Sequence, residues 1–194
     1  MEVREVGGGI RYNVDLPHMD LKDATYVCLD IPEPYYSSVR EIRETHCDRL
    51  DNFPIEMTVA GSSGVGAIRA TQAWTDVKAK LIELCEQTPR IQTEFAGVVR
   101  FPGTDTFVLS LRDPMPFQAF HEALQAAVEF EPSPFPFFPH CSLRMSGPLS
   151  EHDINELFRL RLEGEWIVDT LSLYQMRGGR VVRVWEHPLA SPPT

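Results

Sequence analysis

Two short runs of this chain set a titratable residue two positions ahead of a hydroxyl: Glu56-Met57-Thr58 and His140-Cys141-Ser142. A proline shortly precedes each, Pro54 and Pro139, and the flanking residues are apolar. If both runs are strands, side chains alternate between faces. Glu56 then shares a face with Thr58, and His140 shares one with Ser142 and, next along, Arg144. Two such strands facing each other would line a polar groove with a carboxyl, an imidazole and two hydroxyls. A proton acceptor, a proton donor and hydrogen-bond donors for developing charge are what phosphoryl or acyl transfer needs. The same alternation turns Cys141 into the core, which makes it a poor nucleophile.

The elements that must hold these runs follow from periodicity and turn chemistry. Residues 25–31 are β-rich and end at Pro32 and Pro34. Residues 36–50 read as a helix capped by Ser37 and Ser38, with Val39, Ile42, His46 and Leu50 on one stripe. The strand at 54–60 is broken by the glycine-rich stretch 61–66, which lacks the Lys and Ser/Thr of a P-loop and reads as a turn. A helix over 74–86 carries Trp74, Val77, Leu81, Leu84 and Cys85 on its apolar side. Strands at 93–101 and 106–111 are joined by the turn Pro102-Gly103-Thr104-Asp105, and a helix follows over 116–130. Residues 131–139 read as an extended loop leading into the His140 strand. A helix over 151–160 has Ser150 as its N-cap. A closing hairpin joins 165–176 to 180–186 across Arg177-Gly178-Gly179. Each motif strand therefore follows one helix and precedes another, a weak internal duplication.

At 194 residues the chain suits one domain, or two small packed lobes, with enough core to need no staples. A net charge of -10 argues against a broad nucleic-acid surface, since affinity for a polyanion comes from clustered Lys and Arg. A small phosphate ligand in a locally basic cleft is compatible with it. Cys28, Cys47, Cys85 and Cys141 form no C-x-x-C pair and are expected as free thiols in a reducing cytoplasm. His18, His46, His121, His152 and His187 share no ligand spacing, so no metal site is expected. No signal pattern and no apolar run of spanning length is present, which predicts a cytoplasmic protein without membrane partners.

The two runs resemble the paired H-x-[ST] motifs of the 2H phosphoesterase superfamily, which includes the 2'-5' RNA ligase-like proteins and cyclic nucleotide phosphodiesterases. His140-Cys141-Ser142 matches the second motif. In the first, Glu56 stands where the family has histidine, and Thr58 keeps its place. The likeness extends over residues 25–189. It takes in the opening strand from Thr25 to Pro32 and the hairpin from Val98 to Leu111. It also takes in the helix with His121-Glu122-Ala123-Leu124, the strand Val168 to Tyr174 and the terminal His187-Pro188-Leu189. The resemblance implies an α+β, bilobal fold over 25–190, in which antiparallel sheets from two pseudo-symmetric lobes line a central groove with helices outside. Residues 1–24 would be an N-terminal extension and 191–194 a tail. It implies a metal-independent phosphodiesterase without a cofactor. The substrate would be a small nucleotide or RNA-end phosphodiester, a 2',3'-cyclic phosphate or a 2'-5' linkage. His140 would protonate the leaving oxygen, Glu56 would fall at the general-base position, and Thr58 and Ser142 would hold phosphate oxygens. The family's arginine lies one residue beyond Arg144, so only alternation supports Arg144 as a phosphate or Glu56 partner.

Glu56 leaves three readings open. A carboxylate can serve as the base. Its charge opposes a bound phosphodiester, which suits an enzyme of changed chemistry on a neutral or cationic metabolite. The groove could also have kept its shape, lost the reaction and become a ligand- or partner-binding site. Close to His140, Glu56 would favour imidazolium, the form of a general acid. Phe135, Phe137 and Phe138 could form a stacking wall for a base or pack into the core.

Overall fold

The computed structural model describes residues 4–6, 9–11, 19–46, 53–144, 147 and 149–191. A short antiparallel pair, β1 (Arg4–Val6) and β2 (Gly9–Arg11), precedes β3 (Thr25–Asp30), α1 (Tyr35–His46), β4 (Glu56–Ala60) and β5 (Val65–Ile68). Next come α2 (Trp74–Gln87), β6 (Ile91–Thr93), β7 (Phe95–Arg100), β8 (Phe107–Leu111) and α3 (Met115–Ala127). The chain continues through β9 (Phe130–Pro132), β10 (His140–Arg144), α4 (Glu151–Arg159), β11 (Trp166–Val168), β12 (Thr170–Arg177) and β13 (Arg180–Pro188).

Two antiparallel sheets carry the architecture. One has the order β13-β12-β3-β4 and the other β10-β8-β7. The two motif strands are thus edge strands of different sheets, and they pack against each other. One continuous core joins the sheets: Leu29, Met57 and Val59 from the first meet Leu109, Cys141 and Leu143 from the second, with Val39, Leu81 and Leu124 from the helices. Strand β12 is buried on both faces from Leu171 to Gln175, as a central strand between β3 and β13 must be. The mixed α+β, two-sheet fold matches the expectation from sequence.

Four local features differ from it. Helix α1 starts at Tyr35, where the Glu33 carboxyl accepts the Ser37 amide at 3.2 Å and hydroxyl at 3.0 Å, so a glutamate does the capping expected of serine. The end of that reading, residues 47–50, lies outside the described residues. The expected turn and loop at 61–66 and 131–139 contribute β5 and β9, which pair with each other. The strand expected over 165–176 divides at Asp169, and its first part pairs with β6. Upstream of Thr25, Met19 and Leu21 are buried in the core, and the Gln175 amide donates to the Asp20 carbonyl at 2.8 Å. The core therefore reaches into the segment read as an extension. Ser150 caps α4 as expected, within a reciprocal capping box with Asp153.

Candidate active site

Strands β4 and β10 repeat one burial pattern. Glu56 and Thr58 are half-buried around a fully buried Met57, and His140 and Ser142 are half-buried around a fully buried Cys141. Met57, Val59, Cys141 and Leu143 enter the shared core, so alternation turns the four polar side chains away from it. The two strands approach closely enough that the Glu56 backbone amide reaches the Cys141 thiol. Burial pushes that thiol up to about 12, in keeping with an inert core cysteine. Beyond β4, His121 on α3 meets the Val59 carbonyl at 2.6 Å and stacks on Phe137 at 3.9 Å. This fixes Phe137 beside the strand end rather than as a free stacking wall.

Glu56 sits in a polar cluster between β3 and β4. Its Oε1 accepts the Thr58 hydroxyl at 3.0 Å, the Cys28 thiol donates to it from β3, and Oε2 is sealed from solvent without a partner. Asp30 is its cross-strand neighbour and is ion-paired to Arg183 at 2.9 Å. Burial pushes the Glu56 carboxyl up to about 7; the bonds from Cys28 and Thr58 and the charge of Arg43 oppose that rise, while Asp30 adds to it. Below about pH 4.5 Glu56 is protonated both folded and unfolded. Between about 4.5 and 7 the unfolded chain ionises and the folded chain does not, so stability falls as pH rises, then levels off. The gap corresponds to about 3 kcal/mol. Glu56→Gln should therefore be more stable than the natural protein by about 2–3 kcal/mol at about pH 8 and equal to it at about pH 4. Denaturant melts at the two pH values check this, and an identical difference at both would contradict it.

His140 is poised differently. Its Nδ1 lies 2.6 Å from the Phe138 carbonyl, so Nδ1 carries a proton and Nε2 is the unprotonated nitrogen of the neutral ring. Burial lowers its pKa below the ordinary imidazole value, against the carbonyl, which raises it. The expectation that Glu56 would hold His140 as imidazolium is not met, because desolvation outweighs the other influences on the ring. Phe101 packs edge-on against the ring at 5.2 Å, and Phe138 lies beside it at 5.9 Å.

Arg144 leaves the face that alternation assigns to it. A β-bulge between Ser142 and Arg144 resets the alternation. Arg144 is buried, and its guanidinium bonds the carbonyls of His46 and of Gly147. A cation that does touch both motif segments is Arg43 of α1, which donates to the carbonyls of Ser142, Phe53 and Pro54. Arg43 is not on the stripe of Val39, Ile42, His46 and Leu50 read from the sequence, although it lies one turn after Val39. Phe101, at the end of the hairpin strand, carries no signal in the sequence. A separate open cavity of about 360 Å³ beside Phe95, Gly97, Arg112 and Arg161 includes none of the four motif side chains. Among the described residues no group of His, Cys, Asp and Glu is arranged to hold a metal ion, and no helix is long and apolar enough to cross a membrane.

Comparison with known proteins agrees with this fold. No curated protein matches the chain. Among solved structures, TT0787 of Thermus thermophilus superposes with a TM-score of 0.64 at 15% identity, covering 88% of this chain and 100% of that one. E. coli LigT complexed with 3'-AMP superposes with a TM-score of 0.53 at 16% identity, covering 87% and 98%. LigT complexed with ATP gives 0.54 at 17% identity, with the same coverage. At these identities the likeness is one of fold. The model of the 2'-5' RNA ligase superfamily matches residues 31–180, most of the chain and both motif strands, and the protein belongs to that superfamily.

Proposed function

We propose that the protein is a metal-independent phosphodiesterase acting on a small nucleotide or RNA-end phosphodiester, a 2',3'-cyclic phosphate or a 2'-5' linkage. The observation that carries this reading is the matched pair of edge strands, each presenting one titratable group and one hydroxyl on the side away from the core. Membership of the superfamily makes phosphodiester chemistry the natural use of that pair.

The environments of the two groups push their proton affinities in opposite directions, which supports the following division of roles. His140, neutral and with Nε2 unprotonated, takes a proton from the attacking water or hydroxyl. Glu56, holding its proton up to about pH 7, donates it to the leaving oxygen as the P–O bond breaks. This reverses the assignment that the resemblance implies. It also removes the charge conflict, because a protonated Glu56 does not repel the phosphodiester. Ser142 donates to a non-bridging oxygen, and the Thr58 hydroxyl turns from Glu56 Oε1 to donate to the other when substrate is bound. A half-turn about the Glu56 Cγ–Cδ bond, a soft torsion, exchanges its two oxygens.

A second reading is favoured by one observation: Asp30 lies beside Glu56, while the Arg43 guanidinium is committed to backbone carbonyls. Such surroundings would suit a neutral or cationic metabolite with the same acid–base pair. Turnover of 2',3'-cyclic nucleotides in the presence of EDTA separates the readings. The phosphodiesterase cleaves them to monophosphates at a rate the chelator leaves unchanged.

A further inference from the structure

The two motif strands belong to different sheets and share no hydrogen-bonded ladder, yet the chemistry proposed above requires Glu56 and His140 at a fixed separation. A 1 Å misplacement of reacting groups can cost about a hundredfold. Something other than sheet pairing must hold the strands in place. One buried side chain bridges them. The Arg43 guanidinium donates from Nε and Nη2 to the Ser142 carbonyl, at 2.9 and 2.6 Å, in the middle of β10. Its Nη1 donates to the Phe53 and Pro54 carbonyls, at 3.0 and 2.9 Å, where the chain enters β4. Arg43 is only 6% exposed. A buried cation held by backbone carbonyls is costly unless its geometry is well satisfied, and the planar fork of arginine meets this set where a point-charge ammonium cannot.

We propose that Arg43 is a positioning residue that straps the two motif strands together and holds Glu56 with Thr58 opposite His140 with Ser142. The inference rests on the phosphodiesterase reading for its catalytic consequence and on the hydrogen bonds alone for its structural one. Arg43 also acts on Glu56 at a distance. The charged and titratable groups packed against that carboxyl are Asp30 and Cys28 on β3, Cys141 on β10 and Arg43 on α1, and Arg43 is the cation among them. Strap and charge are separable. Lysine keeps the charge and loses the fork, whereas glutamine loses both.

The test compares Arg43→Lys and Arg43→Gln with the natural protein. Two readouts are used: turnover of a 2',3'-cyclic nucleotide, and the carboxyl carbon resonance of Glu56 followed by NMR across pH, assigned by its loss in Glu56→Gln. In Arg43→Lys the Glu56 midpoint should stay in place while kcat falls about tenfold or more with little change in KM. In Arg43→Gln kcat should fall as far and the Glu56 midpoint should move to higher pH. A merely structural arginine would lower the melting temperature without moving that midpoint. If Arg43→Gln fails to fold, Arg43→Lys decides alone: full turnover overturns the proposal. Two folded variants with the natural midpoint and turnover within about twofold also overturn it. If the natural protein cleaves no phosphodiester, the exchange rates of the Cys141 and Glu56 amides still decide the strap. Faster exchange in both variants supports it, and unchanged exchange refutes it.

Discussion

Alanine at His140 is expected to abolish phosphodiester turnover, by about a hundredfold or more, in a protein that remains folded. The imidazole is the group whose Nε2 is free to take a proton, because Nδ1 is engaged by the Phe138 carbonyl. The backbone pairing of His140 with Ser110 does not depend on the side chain. What is lost structurally is edge-on and stacked contact with Phe101 and Phe138, about 1 kcal/mol of aromatic interaction. The pH profile sharpens the test. The natural enzyme should gain activity as His140 loses its proton, below the ordinary imidazole pKa, and lose it as Glu56 ionises at about 7. The optimum then lies on the acid side of neutrality, and the alanine variant should lose the acid limb. Retention of more than about a tenth of the activity would show that His140 does not move the proton.

Histidine at Glu56, which restores the H-x-T pattern with Thr58, should strengthen binding of a nucleoside monophosphate in a pH-dependent way. Below pH about 7 Glu56 is largely neutral, so any gain there comes only from the charge that the new imidazole takes up. Above it the natural protein places a carboxylate against the phosphate, and the variant does not. The gain should grow to about tenfold at about pH 8, a modest fraction of the Coulomb energy of two like charges a few ångströms apart. The alkaline limb of the rate profile should change as well, because its titrating group has been replaced. Calorimetric titration with a nucleoside 3'-monophosphate at two pH values measures the gain. An affinity that is unchanged at both would mean that Glu56 does not face the ligand.

Much of this arrangement is legible in the chain because it is local. Alternation in β4 and β10 assigns Met57 and Cys141 to the core and Glu56, Thr58, His140 and Ser142 to the opposite face, and period two needs no knowledge of the fold. Ser150 with Asp153 announces the start of α4 for the same reason. What was hidden depends on contacts between distant segments. The bulge that turns Arg144 inward breaks the alternation without a glycine or proline to mark it. Arg43 looks like a solvated helix residue until β10 and the entry to β4 are packed onto α1. Cys28 is one apolar position of a β-rich run, and only the pairing of β3 with β4 brings it to Glu56 and Thr58. Short strands such as β6 and β11 exist because they pair with each other, not because three residues prefer the conformation.

In the proposed mechanism Glu56 and His140 work across one groove as a metal-independent acid–base pair on a phosphodiester. Incubation of the natural protein with a 2',3'-cyclic nucleotide in excess EDTA, with the products resolved by phosphorus NMR, tests it most directly. Conversion to a single nucleoside monophosphate, unaffected by the chelator and absent with the His140→Ala protein, is the expected result. No conversion, or conversion that stops with EDTA and returns with a divalent cation, would contradict it.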